Sequence, residues 1–142
     1  MLDEPKLRLG ALLSRASGQW RLAVQHALAA QGATSLGAAS EVLAEIPAKG
    51  IAQSDLSERL GLSKQAVQQF LDHLADRGLV LRQADPTDRR AKRVFLTEAG
   101  AAALAAHSAA ETAAEHSFRD HLGKKRFGRL RRALRRIGNK AG

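Results

Sequence analysis

Apolar side chains recur at intervals of three and four residues along several stretches of the chain, which is the pattern of helices that bury one face. The first stretch runs from Lys6 to about Gln31 and has no interior proline. The second runs from about Thr34, a suitable N-cap, to Ile46, after which Pro47 ends it. Its inward-facing residues are expected to be Leu36, Ala39, Val42, Leu43 and Ile46. The pattern therefore predicts two helices ahead of residue 50.

A helix, a turn and a second helix are predicted next. The first of the pair runs from Ser54 to Leu60, and the second from Ser63 to about Arg77, with the turn at Gly61-Leu62. One face of the second helix is apolar and consists of Val67, Phe70, Leu71 and Leu74. The opposite, exposed face carries Lys64, Gln65, Gln68, Gln69 and Asp72. An ordinary surface helix would instead alternate Glu and Lys in pairs four residues apart.

The amide-rich face has the chemistry of base recognition. Glutamine can form two hydrogen bonds with the edge of adenine in the major groove, and recognition helices contact bases mainly through their N-terminal residues. Ser63 suits the N-cap, and the free backbone amides beyond it suit a phosphate. The candidate DNA-binding residues of this helix are Ser63, Lys64, Gln65, Gln68 and Gln69. The helix alone does not distinguish this role from that of a solvated polar face.

A hairpin is predicted after the second helix. Two short β-rich runs, residues 79–81 and 94–96, flank a loop of turn-forming residues that carries Arg89 and Arg90. A loop of this length can place an arginine in a minor groove. Asp88 precedes Arg90 by two residues, and we expect its carboxylate to hold the Arg90 guanidinium in a bidentate pair. The alternative is a surface ion pair of little energy. Ile51 is expected to add a short third strand.

Two helices are predicted after the hairpin. Thr97 is expected to cap a long helix from Glu98 to His121, in which residues 99–114 include ten alanines. Small side chains allow two helices to approach closely, and alanine also simply favours helix. The last helix runs from about Lys124 to Ile137 and places one apolar stripe on its surface: Phe127, Leu130, Leu134 and Ile137. The predicted fold class is mainly α with a small β-wing, a winged helix-turn-helix core plus a helical lobe.

The net charge of +9 comes entirely from the C-terminal segment. Residues 1–123 contain 14 basic and 14 acidic residues, whereas residues 124–142 contain nine basic and no acidic residues. The cations around the stripe are Lys125, Arg126, Arg129, Arg131, Arg132, Arg135 and Arg136. Three explanations remain open. In the one we favour, the stripe packs against the first helix of a partner subunit while the charges stay solvated. In the others, the arginines add affinity for DNA, or the helix binds a membrane surface.

Composition narrows the remaining possibilities. A chain of 142 residues is of single-domain size, and it has neither an apolar run that could span a bilayer nor a signal peptide, so we expect a cytoplasmic protein without a membrane partner. Absence of cysteine excludes disulfides and thiol sensing of oxidants. His107, His116 and His121 are spaced by nine and five residues, which does not form a metal-binding face. No catalytic set is visible, so neither an enzyme nor a cofactor is expected.

Several of these segments together resemble the multiple-antibiotic-resistance-regulator (MarR) family of bacterial transcription factors. The segments are residues 55–63, 74–80, 85–91 and 94–100, together with Val67. The flanking helices extend the resemblance over nearly the whole chain. Family members commonly have Thr followed by Arg in the middle of the recognition helix, where this chain has Gln68-Gln69. The resemblance therefore implies the mode of docking but not the operator sequence.

The resemblance also implies an organisation and a site. It implies one domain, residues 1–142, with a DNA-binding lobe at 34–97 and a helical dimerisation lobe at 1–33 and 98–142. It implies that Arg90 contacts the minor groove with support from Asp88. A small aromatic or phenolic effector is expected between the lobes, near Leu13, Trp20 and Leu36, although apolar positions of this kind more often belong to the core.

The expected function is that of a sequence-specific transcriptional regulator, a ligand-responsive repressor that binds double-stranded DNA at a pseudo-palindromic operator as a homodimer. The expected DNA-binding residues are Ser63, Lys64, Gln65, Gln68, Gln69, Asp88, Arg89 and Arg90. Two other functions are compatible with the fold. One is a winged-helix module for protein interaction, which would not be retained on duplex DNA, and the other is a nucleoid-binding protein without preference between sequences.

Overall fold

The structure, a computed structural model, describes residues 7–88 and 90–139. Its elements, in chain order, are α1 (Leu9–Ala30), α2 (Ala39–Ala44), β1 (Ile51–Ala52), α3 (Gln53–Leu60), α4 (Lys64–Asp76), β2 (Val80–Ala84), β3 (Lys92–Leu96), α5 (Glu98–Leu122) and α6 (Lys124–Gly138). The chain is mainly helical with one small sheet, so the predicted fold class is confirmed. The predicted start of the first helix at Lys6 and the candidate Arg89 lie outside the described residues.

The chain divides into two compact units. The winged unit consists of residues 33–108, and the helical unit consists of residues 1–32 together with residues 109–142. The boundary falls inside α5, so the first part of that helix belongs to the winged unit. The assignment of the helical segments to dimerisation stays a prediction at this point.

The sheet of the winged unit has the order β1-β3-β2, with β3 antiparallel to both neighbours. Val94 lies at its centre, where it pairs with Ile51 on one side and with Arg82 on the other. The third strand expected at Ile51 is therefore present. The buried core packs beneath the sheet and contains Leu36, Ala39, Val42, Leu43, Ile46, Ile51, Leu56, Val67, Leu71, Leu74, Leu79, Val80 and Val94.

The second helix is shorter than its pattern predicted. It begins at Ala39, so the prediction that Thr34 is its N-cap is wrong. Gly37 has a φ of +58°, in the left-handed region that favours glycine, and this conformation interrupts the helical path. The Ser40 hydroxyl donates to the Gly37 carbonyl at 2.8 Å, which stabilises the turn. All five residues predicted to face inward are nonetheless buried.

Side-chain caps begin the helices on either side of the hairpin. Ser63 Oγ accepts a hydrogen bond from the Ala66 backbone N–H at 3.1 Å and caps α4. Thr97 Oγ1 accepts from the Gly100 N–H at 3.0 Å and donates to the Gly78 carbonyl at 2.6 Å. The two predicted caps are therefore present, and Thr97 also ties α5 to the end of α4.

Gly100 permits a close approach of backbone to backbone. A Cβ atom added at this position would lie 1.9 Å from the Leu79 carbonyl oxygen, far inside van der Waals contact. That carbonyl also accepts a hydrogen bond from the Thr97 N–H at 3.1 Å. The start of α5 can lie against the chain before β2 only because residue 100 has no side chain.

The helical unit leaves an apolar surface exposed. Among the described residues its buried apolar side chains are Val24, Leu28, Ala110 and Ala114. Seven large apolar side chains of this unit are exposed: Leu9, Leu12, Leu13, Leu22, Leu130, Leu134 and Ile137. No described residue of α6 is buried, so the stripe predicted on that helix is only partly covered among the described residues. No helix in the described part of the chain has the length and apolar character needed to cross a membrane.

Candidate nucleic-acid interface

A recess of about 330 Å³ lies in the winged unit between α3, the start of α4 and the hairpin. Its lining consists of Gln53, Ser54, Ser57, Lys64, Gln68, Asp88, Arg90, Ala91 and Lys92. Four of the residues predicted from the sequence, Lys64, Gln68, Asp88 and Arg90, are therefore brought together. Residues far apart in the chain, on a helix and on the hairpin loop, thus share one concave surface that carries three cations.

The exposed face of α4 carries two of the three glutamines. Gln65 and Gln69 are exposed, and no hydrogen bond among the described residues holds either side chain. Lys64 and Ser63 are also exposed, at the N-terminus of the same helix. These positions have the accessibility that base and phosphate contacts need.

Gln68 differs from its neighbours, and the expectation that all three glutamines are free and exposed is wrong at this position. Its side chain is half-buried. Gln68 Oε1 accepts a hydrogen bond from Gln53 Nε2 at 2.6 Å, and Gln68 Nε2 donates to Asp72 Oδ1 at 2.9 Å. The physical reason is the packing of α3 beside α4. The first residue of α3, Gln53, directs its side-chain amide at the polar face of α4 and meets Gln68 there.

Asp72 continues these bonds to the sheet. Arg82 Nη1, from β2, lies 2.7 Å from the same Asp72 Oδ1 that receives Gln68. The hydrogen bond from Arg82 is the main cause that lowers the pKa of Asp72 below its ordinary value; Gln68 adds to this effect, and desolvation opposes it. We call Gln53, Gln68, Asp72 and Arg82 the polar chain. It connects α3, α4 and β2, and two of its members, Gln53 and Gln68, line the recess.

The loop of the hairpin is held by its own carboxylates. Asp85 Oδ1 accepts from the backbone N–H of Thr87 at 2.9 Å and from its hydroxyl at 2.8 Å. These bonds, the backbone one first, lower the pKa of Asp85. The Asp85 N–H donates to the Ala91 carbonyl at 2.9 Å and closes the loop. The loop that carries Arg90 is thus an ordered turn.

Asp88 does not hold the Arg90 guanidinium, so that prediction is wrong. Its Oδ1 instead accepts a hydrogen bond from the Arg90 backbone N–H at 3.0 Å. An aspartate readily bonds the backbone two residues further on, because this forms a compact Asx-turn. The carboxylate that does pair with an arginine side chain is that of Asp72, whose Oδ1 lies 2.7 Å from Arg82 Nη1. The Arg90 side chain is therefore exposed and available to a partner.

Comparison with known proteins assigns the family. Residues 25–91 match a sequence model described as the MarR family. A transcriptional regulator of the MarR family from Rhodococcus sp. RHA1 is 30% identical in sequence, with 91% of each chain covered and a TM-score of 0.68. The chain belongs to the MarR family. This confirms the resemblance carried by the helix-turn-helix and hairpin segments, and the protein is a MarR-family transcriptional regulator.

Other similar proteins have described ligands or operons. The transcriptional repressor CouR, in a structure bound to a 23-mer DNA duplex, is 29% identical over 97% of this chain and 99% of its own, with a TM-score of 0.76. CouR from Rhodococcus jostii RHA1 bound to p-coumaroyl-CoA is 30% identical over 91% of this chain and 90% of its own, with a TM-score of 0.66. A Thauera aromatica protein, named as a transcriptional regulatory protein for the hcr operon, is 29% identical over 97 residues, which are 68% of this chain and 57% of the relative's length.

Sequence analysis of this MarR-family chain missed two residues of the site. Gln53 is the first residue of α3 and lies one residue before the helix start that the sequence predicts at Ser54. The position of Arg82 depends on cross-strand register, which places it opposite Val94 and is not visible in a single sequence. An alternating pattern on β2 would have been the only signal for Arg82. The described residues of this chain include no group of three His, Asp or Glu side chains that could hold a metal ion.

Proposed function

We propose that the protein is a sequence-specific DNA-binding repressor that acts as a homodimer on a pseudo-palindromic operator. The observation that carries the proposal is the recess of the winged unit, where Lys64, Arg90 and Lys92 line one concave surface with a single carboxylate, that of Asp88. Exposed Gln65 and Gln69 lie on α4, the helix that supplies Lys64. The DNA-bound structure of CouR supports this use of the fold.

The residues divide between two tasks. Lys64 and the capped N-terminus of α4 supply positive charge and backbone N–H groups for phosphates, which fix position without carrying sequence information. Gln65 and Gln69 supply paired donors and acceptors for base edges in the major groove. In this proposal α4 enters the major groove, and Arg90 reaches the adjacent minor groove.

The homodimer is supported by the apolar surface of the helical unit. A cavity of about 400 Å³ lies in this unit among apolar and aromatic side chains, including Leu13, Trp20, Phe118, Leu130 and Leu134. The rings of Trp20 and Phe118 meet edge to face with centroids 5.5 Å apart. Apolar surface of this kind is stabilised when it leaves water, and a second copy can cover it reciprocally about a two-fold axis.

The proposal includes an effector, a small aromatic or phenolic molecule that releases the protein from DNA. The support is the CouR complex with p-coumaroyl-CoA, a thioester of a phenolic acid. Of the three residues expected near an effector, Leu13 and Trp20 line the cavity of the helical unit. Leu36 instead belongs to the core of the winged unit. Titration of the DNA complex with p-coumaroyl-CoA and with free p-coumarate measures the response.

Selection from a random library of duplex DNA, followed by footprinting, tests the main proposal. We expect one enriched sequence with two related half-sites whose centres are about 34–36 Å apart, roughly one helical turn. Binding without any enriched sequence would indicate a nucleoid-binding protein. No retention on duplex DNA at low salt would indicate an interaction module, because phosphate contacts strengthen as salt falls.

A further inference from the structure

The polar chain restricts the side chain of one residue of α4, Gln68. Gln68 lies between Lys64 and Asp72 on α4, one helical turn from each, and lines the recess with Lys64 and Arg90. Both ends of its amide are occupied, by Gln53 at 2.6 Å and by Asp72 at 2.9 Å. Gln65 and Gln69, its neighbours on the helix, have no such constraint among the described residues.

The chemistry of the polar chain gives each bond a fixed direction. A guanidinium can only donate hydrogen bonds and a carboxylate can only accept them. Asp72, paired with Arg82 at 2.7 Å, must therefore receive the NH₂ group of Gln68. The Gln68 carbonyl oxygen then faces Gln53, which donates to it. The reversed amide would place the oxygen of Gln68 against the carboxylate, and two acceptors repel each other.

The fixed orientation leaves half of the hydrogen-bonding capacity of Gln68 available. An amide offers two N–H donors and two acceptor positions on its oxygen, and the polar chain uses one of each. The remaining donor and acceptor have set positions. Adenine is recognised by a glutamine that accepts from N6 and donates to N7, so exchanging the two ends of the amide would place acceptor against acceptor at one of these atoms.

We propose that Asp72 is a positioning residue for base recognition, which acts through Gln68 by fixing the orientation of its amide, with Arg82 and Gln53 holding the two ends of the polar chain. The proposal rests on the proposed function as a sequence-specific DNA-binding protein. In it Asp72 contacts no base, yet the discrimination between bases at one operator position depends on its negative charge.

The test uses Asp72→Asn, which keeps the size of the side chain but adds a donor, so that the Gln68 amide can adopt both orientations. The matched control is Asp76→Asn, because Asp76 is the exposed last residue of the same helix and lies outside the polar chain. Both variants remove one negative charge from α4. The full-length wild-type protein first selects its operator from a random duplex library. Affinities are then measured for that operator and for each of its single-base substitutions.

We expect Asp72→Asn to reduce discrimination at one base-pair position by about tenfold, which lies within the range that one bidentate base contact supplies. Discrimination at the other positions should be unchanged. Asp76→Asn should leave every position unchanged, and both variants should alter binding to random DNA equally. Gln68→Ala should lose discrimination at the same position, and Asp72→Asn added to Gln68→Ala should have no further effect there. A merely structural role for Asp72 would not produce this dependence on Gln68.

Equal behaviour of Asp72→Asn and Asp76→Asn on all operator substitutions would overturn the proposal. So would a further loss of discrimination when Asp72→Asn is added to Gln68→Ala. Gln53→Ala provides a second variant that leaves the pair of Asp72 and Arg82 intact, and we expect a smaller loss at the same position. Thermal unfolding of each variant establishes that it is folded. If the wild-type protein enriches no sequence, the proposed function itself fails, which is a distinct result.

Discussion

The carboxylates of the hairpin loop bond the backbone of the loop, and the Arg90 side chain remains exposed. Asp85 holds Thr87, and Asp88 holds the Arg90 N–H, so both acids shape the turn that presents Arg90. At the scale of single residues, Asp85 and Asp88 thus order the loop, whereas the Arg90 side chain is left to contact a partner. Order established before binding reduces the conformational entropy that binding must overcome.

Substitutions at Asp88 distinguish these tasks. Asp88→Asn retains an oxygen that can accept from the Arg90 N–H, so we expect operator affinity to fall little. Asp88→Ala removes this hydrogen bond and should weaken the free energy of operator binding by about 1 kcal/mol. Arg90→Ala should weaken binding more than either and reduce the slope of log K against log salt by about one. Fluorescence anisotropy over a range of salt concentrations measures all three. Equal affinities of wild type and Arg90→Ala would show that Arg90 makes no DNA contact.

Acid should loosen the same loop through Asp85. The bonds from Thr87 lower the pKa of Asp85 in the folded protein below its ordinary value of 3.8, so the charged form is favoured by folding. This contribution is present above the ordinary pKa and is lost as pH falls through the lower folded value. Urea unfolding of wild type and Asp85→Asn should therefore give a stability difference that shrinks as pH falls from about 6 towards about 2. A difference independent of pH would contradict the role of charge.

At the scale of elements, the apolar pattern predicted the helices well because burial follows helical periodicity. Val67, Leu71 and Leu74 form the buried face of α4 as the spacing indicated, and α6 begins at Lys124 as predicted. The start of α2 could not be predicted in this way. It is set by the backbone conformation of Gly37, which apolar spacing does not report.

Helical periodicity also predicted part of the candidate site. Periodicity placed Gln65 and Gln69 on the exposed face of α4, and the structure places them there. The partner of Gln68 comes from α3, and that of Asp72 comes from β2. Such contacts depend on how elements pack, so a helical pattern alone gave Gln68 the same role as its neighbours.

Glycine substitutions test the packing of the elements. Gly100→Ala would force a Cβ atom to within 1.9 Å of the Leu79 carbonyl oxygen unless α5 shifts, and we expect it to destabilise the protein by about 1–3 kcal/mol or more. Gly128→Ala in α6 is the control. There the nearest atom is the end of the flexible Arg132 side chain at 3.6 Å, so the higher helix propensity of alanine should stabilise by about 0.5–1 kcal/mol. Chemical unfolding measures both, and a tolerated Gly100→Ala would refute the close approach.

At the scale of the whole molecule, charge is divided unequally between the units. The winged unit contains nine basic and nine acidic residues, whereas the helical unit contains 14 basic and five acidic residues. The proposed DNA site therefore lies in the neutral unit, and its positive charge comes from local clustering of Lys64, Arg90 and Lys92. Net charge is a poor guide to the location of this interface.

Neutralising the cations of α6 tests whether that helix takes part in DNA binding. With Arg131, Arg132, Arg135 and Arg136 replaced by Gln, we expect the dimer to persist and the salt dependence of operator binding to change little, because runs of charge on a helix surface usually stay solvated. If they contact phosphates instead, the slope of log K against log salt should fall by about one for each contact removed. To test the membrane explanation, binding of the wild-type protein and of this variant to vesicles of anionic lipid is compared. We expect no binding that depends on these arginines.

Placing a charge on the apolar stripe tests the dimer. Leu134, 47% exposed in the single chain, should become buried between subunits, so Leu134→Asp should give monomers that bind the operator poorly. Leu81, 50% exposed on β2 in the winged unit, provides the matched control, and Leu81→Asp should remain dimeric. Sedimentation velocity measures the assembly state. A dimeric Leu134→Asp protein would place the interface elsewhere.

If the proposed homodimer forms through the exposed leucines of the helical unit, gene regulation depends on the abundance of the protein. Leu9, Leu12 and Leu22 are exposed in the single chain, and burying them against a second copy would favour association. The amount of dimer then follows mass action. Where most chains are still monomeric, halving the number of molecules in a cell would reduce the dimer about fourfold. Under the proposed function, the regulated promoter would therefore respond more steeply to synthesis and dilution of its regulator than a promoter controlled by a monomer.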